Sequence, residues 1–357
     1  MTDLDRIDQT LLDKLDPLGM GRLIAGFPRQ CREAAEIAKK SEAWLPVSRP
    51  RNIIVCGMGG SAIAGDIAAY WLADRAGCPI HVHRNYGLPG WAGPSDLVIA
   101  SSYSGETEET LSAFDEAVKR QIGLAAITSG GTLKSKCLAR GFPLTTIPGG
   151  LPPRGALGYS FFALAGLLES SGISDGDDQA WDETFDIIQN LSDELSIGRP
   201  ADDNQAKRVA TELYGCLPVI YGASDLLAPV TRRWANQLNE NAKVPSYWAA
   251  MPELCHNEIV GWDRLEEVRI RTKIVILTDR EDHARNRLRF EVIGDIIKPM
   301  TSGIVHLETK GRGRLARMFS LLYLGDYVSY YLALLNQVDP MPVTNIDKLK
   351  SVLRDRQ

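Results

Sequence analysis

Gly57-Met58-Gly59-Gly60-Ser61-Ala62-Ile63-Ala64-Gly65 follows directly on the apolar run Asn52 to Cys56 and leads into a helical pattern from Ala62 to Ala73. The length and β-branched content of that run suit a buried strand. The order is therefore strand, glycine turn, helix. Glycines in such a turn permit positive φ and let a ligand approach the backbone, and the helix start offers unpaired N–H groups to an anion. Alone, the stretch implies a nucleotide or a phosphosugar. A second stretch, Ser102-Tyr103-Ser104-Gly105-Glu106-Thr107, closes another apolar run and narrows the choice.

Working outward, Pro79 to Arg84, Leu97 to Ala100, Leu124 to Thr128 and Leu144 to Ile147 repeat the strand signal, and Glu106 to Arg120 and Ala156 to Leu168 carry apolar residues at helical spacing. Five strands alternating with helices imply a parallel, doubly wound α/β sheet. The small, acidic stretch 171–180 reads as a linker, followed by helices over Trp181 to Leu195 and Gln205 to Tyr214. The α/β pattern then restarts. Strands are expected over Leu217 to Tyr221, Lys273 to Thr278 and Ile304 to Leu307, with helices over Asp225 to Asn241, Asp282 to Arg289, Leu315 to Leu335 and Asn345 to Arg354. Before the first strand, Leu4, Ile7, Leu11, Leu12 and Leu15 share one helical face; after a break at Pro17 to Gly21 a second helix is expected from Leu23 to Ala43.

Composition bounds the function. At 357 residues, 44% hydrophobic and 24% charged, the chain suits two ordinary domains, and no apolar run is expected to approach a membrane span. A net charge of -5 argues against general nucleic-acid binding. Residues 1–20 begin with acids and carry no apolar signal core, so a cytoplasmic protein is expected. The six cysteines form no C-x-x-C pair and read as reduced structural thiols.

Ligands of open parallel sheets sit at the carboxyl ends of the strands, where both glycine-serine stretches lie. Ser102, Ser104 and Thr107 set three hydroxyls across a strand end and the first turn of a helix, which suits a phosphate monoester. Plain capping of helix N–H groups by Ser104 or Thr107 explains them equally well. Gly57-x-Gly59-x-x-Ala62 also fits a relaxed dinucleotide fingerprint, but the second strand ends in His83-Arg84 where NAD binding expects an acid, leaving only an NADP-dependent oxidoreductase. Cys255, His256 and Glu258, or His81 and His83, supply no familiar zinc set, and no metal is expected.

Taken together, GMGGSAIAGD (57–66), SYSGETEET (102–110), PPRGALGY (152–159), NENAK (239–243), PELCHNE (252–258) and IDKLK (346–350) resemble the bifunctional phosphoglucose/phosphomannose isomerase family, in order and from about residue 50 to the end. The resemblance implies two flavodoxin-like sugar isomerase (SIS) domains with parallel sheets flanked by helices, a homodimer, and no metal or redox cofactor. It also implies interconversion of glucose 6-phosphate or mannose 6-phosphate with fructose 6-phosphate. Gly59, Gly60, Ser61, Ser102, Ser104 and Thr107 match the positions that hold the sugar phosphate. Arg154 matches the arginine beside the reacting carbons, Glu240 the base, and His256 and Lys350 the ring-opening residues, with His256 supplied by the partner chain.

The chemistry asks for the same inventory: an enediol route between C2 and C1 needs a carboxylate base, a cation near the developing oxyanion and a group to open the ring. Taken singly, Glu240 reads as a helix-end charge, His256 as a structural histidine and Lys350 as a surface lysine. A non-catalytic phosphosugar sensor would need the loops but not those three residues. Met341 stands where the family is expected to have threonine. Glu106 brings a negative charge near the phosphate that is tolerable only if its side chain turns away. The implied organisation is an N-terminal helical arm over 1–48, a first SIS domain over 49–172, a linker and connecting helix over 173–203, and a second SIS domain with C-terminal helices over 204–357.

Overall fold

The computed structural model describes residues 4–41, 45–47 and 49–355. The expected helix end at Ala43 and the arm boundary at residue 48 lie outside them. The chain forms two compact units: Gly26–Gln189 with Gly311–Met318, and the remainder, up to Ala25, Asn190–Lys310 and from Phe319 onward.

The first sheet contains β1 (Ile53–Cys56), β2 (Ile80–His83), β3 (Leu97–Ser101), β4 (Gly123–Thr128) and β5 (Leu144–Thr146) in the order β2-β1-β3-β4-β5, with every neighbouring pair parallel. Every residue of β1 and β3 is buried, as expected of central strands covered on both faces. One face packs Ile54, Val98, Leu124 and Ala126 against Phe114, Leu133 and Cys137. The second sheet contains β6 (Leu217–Ala223), β7 (Tyr247–Met251), β8 (Thr272–Thr278) and β9 (Ile304–Glu308) in the order β7-β6-β8-β9, again all parallel. It repeats the winding of the first without a fifth strand.

Among the described residues, two of the longer elements escape the sequence reading. The helix Gly131–Arg140 buries only Leu133 and Cys137, so it has too narrow an apolar stripe to register. β7 is an edge strand with four of its five residues at least partly exposed, between Pro245 and Pro252, and it lacks the apolar alternation that marks a strand. The expected helix from Leu23 is two helices, Met20–Ala25 and Phe27–Lys40, broken at Gly26. Pro28 sits in the first turn of the second, where a missing N–H costs no hydrogen bond.

The helix Arg314–Leu335 corrects the expectation about membrane spans. It has 22 residues and a mean hydropathy of 1.3 over its most apolar window, long and apolar enough to cross a membrane, yet that window is 100% buried inside the protein. Asp326 interrupts the apolar run, which is why a search for uninterrupted stretches passes over it. All six cysteines are free thiols. Burial pushes the Cys56 thiol up to about 12 and Cys137 to about 11, so both behave as apolar packing atoms.

Candidate active site

At the end of β1 the chain turns through Gly57 and Met58 into the helix Gly59–Trp71. A β-carbon on Gly57 would lie 2.8 Å from the Ser101 carbonyl oxygen at the end of β3, so only glycine lets these strand ends approach so closely. Gly59 has φ +49 and open space where its β-carbon would be. Met58 caps the helix without a side-chain hydrogen bond, and the Ser61 and Ala62 amides donate back to the Met58 carbonyl. The first amides of the turn, at Gly59 and Gly60, therefore remain available to a ligand.

In the hydroxyl loop after β3, the capping bond expected of Thr107 is not made. Thr107 occupies the N-cap of the helix Glu108–Lys119 with extended backbone, but its side chain makes no capping bond. Its Oγ1 instead lies 2.9 Å from Oγ of Ser102, a residue only 1% exposed. The Gly105 amide donates to Ser102 Oγ at 3.1 Å, and the Glu106 amide donates to the exposed Ser104 Oγ at 3.2 Å. Ser102 and Thr107 thus bond each other, while Ser102 and Ser104 each hold an amide of their own loop. Gly105, at φ +73, is indispensable there: a β-carbon would fall 2.0 Å from the Gly130 carbonyl oxygen. Glu106 meets the condition set for it. Its Oε1 accepts from the Thr132 amide at 2.7 Å and its Oε2 from Thr132 Oγ1 at 2.8 Å, so the carboxylate caps the neighbouring helix Gly131–Arg140.

Arg154 lies in the short 3-10 turn Pro153–Gly155 and is 5% exposed. That turn rests against the glycine helix, since a β-carbon on Gly60 would come within 2.7 Å of the Pro153 carbonyl oxygen and 3.8 Å of the Arg154 Cα. Gln30 Nε2 donates to the Gly155 carbonyl at 2.8 Å, and the Leu151 amide donates to Tyr103 Oη at 3.0 Å, pinning both sides of the turn. Gly59, Gly60, Ser61, Ser102, Ser104, Thr107 and Arg154 therefore all belong to one unit, where glycine loop, hydroxyl loop and arginine turn abut. At the end of β2, Arg84 is ion-paired with Asp66 of the glycine helix, and the guanidinium an NADP phosphate would need is engaged.

Glu240 belongs to the other unit, on the last turn of the helix Ala228–Ala242, and is half-buried. That helix is fixed by a polar ladder to Arg314–Leu335: Arg233 pairs bidentately with Asp326 at 3.1 and 2.8 Å, both side chains buried. Gln237 Nε2 donates to Asp326 Oδ1 at 2.8 Å, Asn241 Nδ2 to Ser329 Oγ at 3.0 Å and Trp234 Nε1 to the Leu321 carbonyl at 2.8 Å. Beyond Glu240, Lys243 adopts φ +57, and its Nζ donates to the carbonyls of Glu240 at 2.5 Å, Pro342 at 2.6 Å and Pro340 at 3.2 Å. Pro340 and Pro342 belong to the strap that leads into the helix Thr344–Arg354, where Lys350 is exposed and no residue is buried.

His256 is not brought to Glu240. It ends the 3-10 turn Glu253–His256 immediately after β7, at the carboxyl edge of the second sheet, and is exposed. The helix Ala228–Ala242 follows β6 and runs back, so Glu240 lies at the amino edge, where Asn239 Nδ2 donates to the Ser246 carbonyl at 2.9 Å just before β7 begins. The length of β7, at ~3.3 Å per residue, separates these edges by on the order of 15 Å. Among the described residues no three His, Cys, Asp or Glu side chains are grouped to hold a metal ion. Lys243 is the site-adjacent residue that motif reading names without a role; its signal is conformational, a left-handed non-glycine residue, and invisible in the sequence.

Two parallel α/β units, one opening a glycine turn and a hydroxyl-lined loop at its carboxyl edge, define a double SIS-domain protein. The SIS domain model matches residues 47–137, and the model described as "Bacterial phospho-glucose isomerase C-terminal SIS domain" matches 202–353. The chain belongs to the bifunctional phosphoglucose/phosphomannose isomerase family. It is 42% identical over 332 residues to a protein of that name from Caldicellulosiruptor bescii, covering 93% of this chain and 98% of the relative. To one from Aquifex aeolicus it is 36% identical over 336 residues, with the same coverage of each, 93% and 98%. A hypothetical protein from Thermus thermophilus shares the fold at a TM-score of 0.72 and 14% identity, covering 98% of this chain and 93% of that one.

Proposed function

We propose that this protein is an aldose-ketose isomerase that interconverts glucose 6-phosphate and mannose 6-phosphate with fructose 6-phosphate through an enediol, in the cytoplasm. The observation that carries the reading is its membership of the isomerase family over nearly the whole chain. The phosphate-binding half corresponds to residues 49–172 and the base-bearing half to 204–357. The phosphate is held by the hydroxyls of Ser102, Ser104 and Thr107, with Gly59, Gly60 and Ser61 supplying backbone and hydroxyl donors. The absence of a capping bond from Thr107 supports this, because the helix N-terminus does not recruit its hydroxyl. Arg154 stands beside the reacting carbons and offsets the charge that develops on the enediolate oxygen. Glu240 carries the proton between C2 and C1, and His256 and Lys350 open the ring.

The working form in this reading is a homodimer in which each site takes His256 from the partner copy. The opposite edges occupied by Glu240 and His256 support that arrangement, since one copy of the second sheet cannot present both at one point.

The test is a coupled assay of fructose 6-phosphate formation from each aldose, with wild type and Glu240→Gln compared. The wild type should turn over both hexose 6-phosphates and fail on the unphosphorylated sugars. Glu240→Gln should lose about 10²–10⁴-fold in kcat, the usual contribution of a general base. An inactive wild type, or a fully active Glu240→Gln, would overturn the mechanism. Binding of the sugar phosphate without turnover would instead identify a sensor.

A further inference from the structure

We propose that Lys243 is a positioning residue that clamps the strap before the last helix onto the end of the Glu240 helix, setting where Lys350 stands relative to the base. The inference rests on the isomerase reading above. Three observations carry it, all within one unit of the protein.

The first is conformational. Lys243 terminates the helix Ala228–Ala242 at φ +57, ψ +33, with its amide donating to the Leu238 carbonyl. Glycine adopts that left-handed cap at no steric cost, whereas a residue with a β-carbon is strained there. Gln121, Leu265 and Gln337 adopt the same backbone, so the conformation marks the position and the side chain must supply the role. The second is chemical. One ammonium has three donors, and here three of its acceptors are backbone carbonyls: Glu240 at 2.5 Å, Pro342 at 2.6 Å and Pro340 at 3.2 Å. The carbonyls at a helix C-terminus have no intrahelical partner and carry the negative end of the dipole, so a cation is favoured there.

The third is topological. The two proline carbonyls belong to the segment Asp339-Pro340-Met341-Pro342-Val343, which links the end of Arg314–Leu335 to the helix bearing Lys350. That last helix buries none of its own residues, so its placement depends on how its entry is held. The Met341 amide donates to Asp339 Oδ1 at 2.8 Å, which makes the strap a compact turn, and Asn336 Nδ2 reaches the Ala242 carbonyl at 3.1 Å. The Lys243 ammonium is the cation that spans this join. It bonds the Glu240 peptide itself, so the clamp and the base share one turn of helix.

The decisive variants are Lys243→Gly, Lys243→Met and Lys243→Arg, compared with wild type, Glu240→Gln and Lys350→Met. Lys243→Gly removes the ammonium while relieving the backbone, so a merely structural cap predicts a melting temperature equal to or above wild type and unchanged kinetics. The clamp predicts the same melting temperature with kcat reduced about tenfold or more, the scale of a misplaced catalytic group, and KM for the hexose 6-phosphate within about threefold. It also predicts faster amide hydrogen exchange in the peptide spanning 336–350. Lys243→Met should show the same exchange and kcat changes, and Lys243→Arg should restore part of both.

Unchanged exchange in Lys243→Gly and Lys243→Met overturns the clamp. Faster exchange with wild-type kcat, while Glu240→Gln and Lys350→Met are impaired, leaves the isomerase reading intact and overturns the positioning role. An inactive wild type, or a fully active Glu240→Gln, overturns the reading itself and the role with it.

Discussion

Ser102, Ser104 and Thr107 are legible as a hydroxyl trio, but their division of labour is not, because an N-cap position and a ligand position have the same sequence signature. The structure shows that Thr107 Oγ1 makes no capping bond and lies 2.9 Å from Ser102 Oγ instead. Glu106 is the converse case. Its charge reads as a liability for phosphate binding until Thr132, which comes 26 residues later, is found holding it. The two therefore make opposite predictions. Thr107→Val should raise KM for the hexose 6-phosphates about 10- to 100-fold, the worth of one hydrogen bond to a charged group, with a melting temperature lowered by only a few degrees through loss of the bond to Ser102 Oγ. Glu106→Ala should leave KM nearly unchanged and lower stability by about 1 kcal/mol through loss of a helix cap. Steady-state kinetics and a thermal melt of both variants check the pair, and a Glu106→Ala enzyme with much tighter substrate binding would restore the repulsion view.

Elements that bury a continuous apolar face are readable; of those that do not, the last helix is still read from its spacing, whereas Gly131–Arg140 and β7 are missed. β1 and β3 stand out because nothing in them is exposed; β7 does not, because an edge strand is written in partial burial. The N-terminal arm reads as amphipathic, but what it docks on does not, since docking is a tertiary fact. Asp5 accepts from the Ala201 amide at 2.9 and 3.1 Å and from Lys207 Nζ at 3.0 Å, and Lys207, 1% exposed, also donates to the Leu4 carbonyl at 3.2 Å. The Ala201 amide, and then Lys207, hold the Asp5 carboxyl below its ordinary value of 3.8. A carboxyl so depressed stabilises the fold fully above that ordinary value. The contribution is lost as pH falls through the lower folded value, when a buried ammonium would be left without its counter-charge. Amide exchange over residues 4–16, corrected for intrinsic rates, should therefore be faster at about pH 3 than at about pH 6 in the wild type and nearly independent of that change in Asp5→Asn. Equal protection of the wild type at both pH values would refute the latch.

At the scale of the whole molecule, the alternation of strands and helices is enough to read two parallel sheets, and the shared 2-1-3-4 winding follows from the right-handed crossovers such sheets require. The edge each half works from is less accessible. In the first half the proposed phosphate loops follow the carboxyl ends of β1 and β3, where open sheets are expected to bind ligands, whereas Glu240 lies at the amino edge of the second sheet, a consequence of which end of a returning helix carries it. The proposed composite site then makes a quantitative demand. Glu240→Gln and His256→Ala should each be inactive alone, but co-refolded in equal amounts they should recover about a quarter of wild-type activity. Random pairing makes about half of the dimers mixed, and each mixed dimer holds one intact site. No recovery, with mixed dimers demonstrated by tagged pull-down, would place His256 in its own chain's site or outside the chemistry.

The abutment of Gly105 on the Gly130 carbonyl has a consequence for inheritance. With no room even for a methyl group between them, and Glu106 stitched to Thr132 on the far side, the hydroxyl loop and the start of the next helix form one cassette. Descendants of this sequence are free to alter the pair together, and chimaeras that graft either loop without its mate import a steric conflict with it.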